Sequence, residues 1–192
     1  IREGSCGDPV PKITRTGAGS ALMKNPGTIR DSVAAMTASV DIPVTVKIRL
    51  GWDASSVNYL EAAAAAVDGG AAAVTLHART REQGYAGTAD RAAFYRLAEA
   101  VPVPVFASGD MMSARDAFDV LSGGMVAGVM FARGAMGDPF VFTRAAALLD
   151  GRSEPVIETA DRIAAARRPI TMDDVFMQCS QTKGFCGVTI AM

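Results

Sequence analysis

The chain has 192 residues, 49% of them hydrophobic and 20% charged, and a net charge of −1. That length and balance describe one globular domain with a buried core and exclude a disordered chain. The near-zero charge excludes a polyanion-binding face spread over the whole surface, so any nucleic-acid contact must be local.

In chain order, a first strand is expected to end near residue 5. Residues 27–40 read as helix and 43–50 as strand. A helix over 55–68 follows, with Ser55 or Ser56 as its N-cap. Gly69-Gly70 ends it, and 72–78 is the next strand. Residues 89–100 are helical, and Pro102-Val103-Pro104 leads into a strand over 104–107. Ser113 caps a helix reaching about 122, where Gly123-Gly124 stops it. The strand 127–132 comes next, and Asp138-Pro139 opens a helix to about 149. From about 169 the pattern decays and predicts a loosely ordered tail.

Strand and helix alternate with a repeat of roughly 30 residues, which implies parallel strands joined by right-handed crossovers. Val-rich strands are those of a sheet whose outer face is covered by helices. Polar residues at the strands' C-terminal ends favour a barrel, where sites are built at that end. No Gly-x-Gly-x-x-Gly follows any strand, which counts against an open dinucleotide-binding sheet. The fold class expected is α/β, the C-terminal portion of a (β/α)8 barrel, over residues 1–150, with a short helical or irregular tail over 151–192. Four or five strands are fewer than the eight that take about 250 residues. The chain also begins without methionine inside what reads as a site loop. A fragment or shortened gene product is therefore expected.

Two strands carry the chemistry. Alternation places Val44, Val46, Ile48 and Leu50 on one face and Thr45, Lys47 and Arg49 on the other. The next strand repeats this, with Val74, Leu76 and Ala78 against Thr75, His77 and Arg79. Buried cations need partners, and at a barrel mouth the partner is commonly a bound anion. Ser108-Gly109-Asp110 ends a strand before a helix, an arrangement in which backbone N–H groups and a helix N-terminus hold an anion. Ala132-Arg133-Gly134 ends the next strand and adds a cation. Together they have the form of a barrel's phosphate corner.

Further motifs are Asp8-Pro9-Val10-Pro11-Lys12 with Gly17-Ala18-Gly19-Ser20-Ala21-Leu22-Met23, then His77-Ala78-Arg79-Thr80-Arg81-Glu82-Gln83-Gly84-Tyr85-Ala86-Gly87. Ala132-Arg133-Gly134-Ala135-Met136-Gly137-Asp138-Pro139 completes the set. In this order and spacing, and with Val44 through Trp52 and Ser108-Gly109-Asp110, the sequence resembles the tRNA-dihydrouridine synthases over residues 5–150. The resemblance implies an FMN-dependent barrel enzyme that reduces the C5–C6 double bond of uridines in tRNA. NADPH reduces the flavin, the flavin delivers hydride to C6, and a cysteine protonates C5. It implies that Lys47 contacts the flavin near N1 and O2, and that His77, in register with Lys47, donates to flavin or uracil. Ser108, Gly109, Asp110, Ala132 and Arg133 would hold the FMN phosphate. An ion pair is the other reading of Lys47, and a structural role that of His77. The family has Asn where Ser108 stands and Gly where Ala132 stands, so weakened FMN affinity is expected. Lys12, Arg15, Arg79 and Arg81 would track tRNA phosphates on site-facing loops, or else are solvated surface charge.

The largest departure is at the acid. In Ser5-Cys6-Gly7-Asp8-Pro9, Asp8 occupies the family's cysteine slot. A free aspartate titrates near pH 3.9 and a cysteine near 8.5, so Asp8 is a poor proton donor at neutral pH. Cys6 is a candidate stand-in, about 6.5 Å away if the segment is extended, beyond direct proton-transfer reach. Impaired catalysis is expected. Two other readings stand beside this one: a different FMN-dependent barrel oxidoreductase, or a non-catalytic remnant that binds RNA or a partner. Ile1-Arg2-Glu3-Gly4 is no secretory signal, and no apolar run approaches the roughly 20 residues of a membrane span. Cys6, Cys179 and Cys186 make no disulfide framework or metal cluster, so a cytoplasmic protein without metal is expected.

Overall fold

A computed structural model of the chain describes residues 1–136, 138–167, 177–178, 186–187 and 189–191. Five parallel strands, β1 (Arg2–Ser5), β2 (Val44–Arg49), β3 (Ala73–His77), β4 (Val105–Ser108) and β5 (Gly128–Met130), lie side by side in chain order. The crossovers carry α1 (Pro11–Thr14) and α2 (Pro26–Ala38) after β1, then α3 (Tyr59–Asp68), α4 (Arg91–Ala100) and α5 (Ala114–Leu121) after the next three strands. Helices α6 (Val141–Leu149) and α7 (Thr159–Arg167) follow β5. This is the parallel α/β arrangement that the strand–helix alternation predicts, including the first strand ending at Ser5.

The core lies between the strands and the helices. Val44, Val46 and Ile48 of β2 are buried there with Ile29 and Val33 of α2 and with Ala62, Ala63 and Ala66 of α3. Alanines on that face of α3 keep the helix close to the sheet, while Phe94 and Leu97 of α4 supply bulk. Each such large apolar side chain contributes roughly 1.5–3 kcal/mol by leaving water. The opposite face of β2, with Thr45 and Lys47, is only half-buried.

The helix starts correct the sequence reading in two places. Helix α3 begins at Tyr59 with Asn58 before it, because Asp53 accepts hydrogen bonds from both Ser55 and Ser56 and holds them in a turn of its own. Helix α6 begins at Val141 with Phe140 before it, and Asp138, outside the helix, pairs with Arg144 in its first turn. Ser113 does cap α5, in a full capping box with Asp116. Most of the expected tail lies outside the described residues. Within it, β6 (Met177–Gln178) and β7 (Cys186–Gly187) pair with each other, and β8 (Thr189–Ala191) runs antiparallel beside β5. Among the described residues no helix is long and apolar enough to cross a membrane.

Candidate functional site

The polar residues expected at the strand ends do converge, in layers set by register. Arg49, His77, Ser108 and Met130 follow one another from strand to strand in one layer. Ser5, Lys47, Thr75, Phe106 and Gly128 form the layer beneath. His77 is therefore level with Arg49 and not with Lys47, because the β2–β3 register pairs Lys47 with Thr75. Two residues along a strand amount to about 6.6 Å. Lys47 is close enough to Glu3, on the same side of β1, to oppose the rise in pKa that burial imposes on that carboxyl.

His77 is buried, and its pKa is pushed down to about 2, first by burial and then by Lys47, Arg49, Arg79 and Arg133. It is a neutral imidazole across the physiological range. The unfolded chain instead takes up a proton near pH 6.5. Below that pH the unfolded state binds a proton that the folded state refuses, so stability falls as pH falls. The expected loss between pH 7 and pH 5 is on the order of 1–2 kcal/mol. Urea midpoints at the two pH values should differ less in His77→Gln than in the parent; an equal drop in both would contradict a buried neutral ring.

Arg49 lies on the polar face, as alternation predicts, but its role was not legible there. The residue is 2% exposed, and its guanidinium reaches three loop carbonyls: Nε donates to Gly7, and Nη1 to Thr80 and Gly84, at 2.9, 3.0 and 3.1 Å. Burial lowers its pKa to about 10, which still leaves it charged at neutral pH. It clamps the loop after β1 to the loop after β3. Tyr85, half out in solvent on that second loop, brings its ring centroid to 6.1 Å from His77. No sequence signal other than position in the motif marks Tyr85.

Arg79 corrects an expectation. The sequence places it on a site-facing loop, open to RNA phosphates, yet it is 1% exposed. Its Nη2 donates to both oxygens of Asp110, at 2.8 and 2.7 Å, and to the Gly87 carbonyl, while Nε donates to Ala86. Asp110 also accepts from the Ala89 N–H and from Arg133 Nη2. Burial alone would raise the Asp110 pKa; the hydrogen bonds from Arg79 and Ala89 and the two nearby guanidinium charges hold it below the usual range. The carboxylate thus ties together the ends of β3, β4 and β5.

The anion corner differs from its expected form. The Ser113–Asp116 capping box takes up the N–H groups of Met112, Ser113 and Asp116, so the start of α5 is turned in on itself. What remains is backbone. Among the described residues no acceptor takes the N–H groups of Gly109 and Asp110. Gly109 has φ +114°, and a Cβ there would sit 3.0 Å from His77 Cδ2. Gly134 passes so close to the next loop that a Cβ would lie 2.3 Å from the Met111 carbonyl oxygen. Arg133, partly exposed, spans from Asp110 to the Tyr85 ring, 5.0 Å away, with Ala132 just before it. Ser108 is buried beside this cradle. Free N–H groups, absent side chains and a long-stemmed cation suit a phosphate group.

The two candidate acids separate. Cys6 is 4% exposed among core residues, and burial pushes its thiol pKa up to about 11. A thiol packed in the core and closed off from solvent does not suit the stand-in role expected of Cys6, which is corrected to a core position. Asp8 is half-buried on the loop after β1, and its Oδ1 accepts the Val10 N–H at 2.9 Å. It serves there as an acceptor. Lys12 and Arg15 are exposed on and just after α1, and Arg81 is half-buried on the loop after β3.

Parallel strands joined by helices, with Lys47 and a buried neutral His77 toward their carboxyl ends, define a barrel-type α/β domain with unpaired backbone N–H groups at Gly109 and Asp110 among the described residues. Comparison with known proteins makes this specific. The family model "Dihydrouridine synthase (Dus)" matches residues 5–189, and the chain belongs to that family. It is 46% identical over 162 residues to a probable tRNA-dihydrouridine synthase of Treponema pallidum, covering 79% of this chain and 48% of that protein. It is 41% identical over 162 residues to one from Mycobacterium tuberculosis (82% and 42%), and 37% identical over 156 residues to tRNA-dihydrouridine synthase B of Pseudomonas syringae pv. tomato (81% and 46%). The chain spans about half the length of the curated relatives it matches. The family is a TIM barrel, and these five strands are part of one.

Proposed function

We propose that this chain supplies the flavin-holding half of a cytoplasmic tRNA-dihydrouridine synthase, with FMN as cofactor and NADPH as reductant. The observation that carries the reading is the cradle formed by Gly109, Asp110, Arg133 and Gly134 in a chain of this family. Residues 1–150 are the cofactor-binding unit in this reading, and 151–192 an appended tail. Bound flavin supplies the hydride for reduction of the uridine C5–C6 bond.

The chain's own residues do the rest. The N–H groups of Gly109 and Asp110 and the guanidinium of Arg133 hold the phosphate. Lys47 places positive charge in the layer beneath His77, where it favours a ring that gains negative charge on reduction. His77, held neutral, offers one N–H donor and one acceptor. Arg49 fixes the loop bearing Asp8 against the loop bearing Tyr85. Asp8, at the slot from which the family's acid acts, limits protonation at C5.

The test is incubation of unmodified tRNA transcript with the protein, FMN and NADPH, followed by nucleoside mass spectrometry. Dihydrouridine above the level of a no-enzyme control supports the reading. Flavin binding without any product, even in Asp8→Cys, would favour a different FMN-dependent oxidoreductase.

A further inference from the structure

Trp52, just beyond β2, is the meeting point of three loops. Lys24, at the end of the 3-10 turn Gly19–Lys24 after β1, places Nζ 3.6 Å from the indole centroid. Arg81, on the loop after β3, places its guanidinium carbon 4.6 Å from the same ring. Backbone bonds lock the arrangement: the Arg81 N–H donates to Gly51 and the Glu82 N–H to Trp52, each at 2.9 Å. Lys24 is exposed and Arg81 half-exposed.

Each cation is attracted to the indole face, but the ring supplies no neutralising charge. The ordinary remedy is a carboxylate, and two are close in sequence. Asp53 is turned onto Ser55 and Ser56 instead. Glu82, exposed, makes no ion pair with either cation, and among the described residues neither Lys24 nor Arg81 has an acidic partner. Arg81 Nε is buried without a hydrogen-bond acceptor. The cluster is thus an aromatic-backed pair of unneutralised cations on the carboxyl-end side of β1–β3, the side to which the Asp8 loop belongs.

We infer that Lys24, Trp52 and Arg81 form a contact for the phosphate backbone of the RNA substrate, with Trp52 as the platform that positions the two cations. The inference rests on the tRNA reading above. It replaces Arg79, which is committed to Asp110, as the cation supplied from this side of the mouth. Phosphate is the fitting partner because neither cation has an acidic partner among the described residues, Lys24 is exposed, and the chain's overall charge of −1 offers no general attraction.

The experiment is filter binding of an unmodified tRNA transcript to the whole chain across a salt series. The pair Lys24→Gln/Arg81→Gln should weaken binding and flatten the log K against log salt slope by roughly one per lost phosphate contact. Arg30→Gln/Arg115→Gln, which removes the same charge from the outer helices, should leave the slope unchanged. Trp52→Phe should bind as the parent does, and Trp52→Leu should weaken binding with all charges in place. Circular dichroism confirms that each variant is folded. Equal slopes for the two double variants would overturn this contact while leaving the tRNA reading intact. Failure of the parent chain to retain tRNA at low salt would overturn both.

Discussion

Asp8→Cys should raise dihydrouridine formation by about 10²-fold or more, the span that a positioned general acid contributes. The geometry gives the reason. Asp8 sits on the loop that Arg49 anchors through Gly7, and its Oδ1 accepts the Val10 N–H. In the proposed reading it stands at the position of the family's acid, oriented as an acceptor. Cys6 offers no relief, being packed in the core with its thiol pKa raised to about 11. The Asp8→Cys substitution restores an S–H donor without disturbing the clamp, because Arg49 binds the Gly7 carbonyl and not the Asp8 side chain. Product accumulation per unit of flavin-loaded intact protein is the measurement. Equal robust activity in the parent and in Asp8→Cys would show that protonation does not pass through this position. As a companion, Cys6→Ala should leave activity unchanged.

Asp110→Ala should be the most destabilising single change at the mouth, by about 3–5 kcal/mol, the cost of leaving a buried charge without its partner. Arg79 is 1% exposed and donates twice to Asp110, so its charge has nowhere to go when the carboxylate is removed. The Ala89 N–H and Arg133 lose the same acceptor. Asp110 also adopts φ +53°, a conformation that aspartate and asparagine tolerate better than alanine does. With a urea m-value of about 1–3 kcal/mol/M, the midpoint should fall by roughly 1 M or more. Asp119→Ala is the comparison: it breaks the exposed Arg115–Asp119 pair, worth about 0–1 kcal/mol. Similar midpoints for the two variants would mean that Arg79 finds another way to be solvated.

The frame of this fold was legible because its signals are local and periodic. Val44, Val46 and Ile48 alternate with Thr45 and Lys47, and that alone assigns β2 its two faces. Gly69-Gly70 and Ser113 bound helices through backbone conformation and capping, which depend on neighbours in sequence. The helix starts at Tyr59 and Val141 were less legible, because Asp53 competes for the serines and Asp138 for Arg144. Register was not legible at all: whether His77 stands level with Lys47 or Arg49 depends on how two strands slide, and alternation is blind to a shift of two residues. Arg49 and Arg79 show the same limit in charge. An arginine beside a strand end reads equally as ligand or clamp until its long-range partners are known, and the partners of these two lie 7 to 42 residues away. The Dus resemblance supplied an expectation that spacing could not, namely which group the cationic mouth would face.

Whether that mouth holds flavin decides most. The deciding measurement is titration of the purified chain with FMN, followed by the shift of the flavin absorbance band, with Lys47→Met alongside. Saturable binding by the parent, weakened in Lys47→Met, is the result predicted. A flavin spectrum unchanged at every protein concentration would contradict flavin binding and reduce the Gly109–Arg133 cradle to a feature of packing.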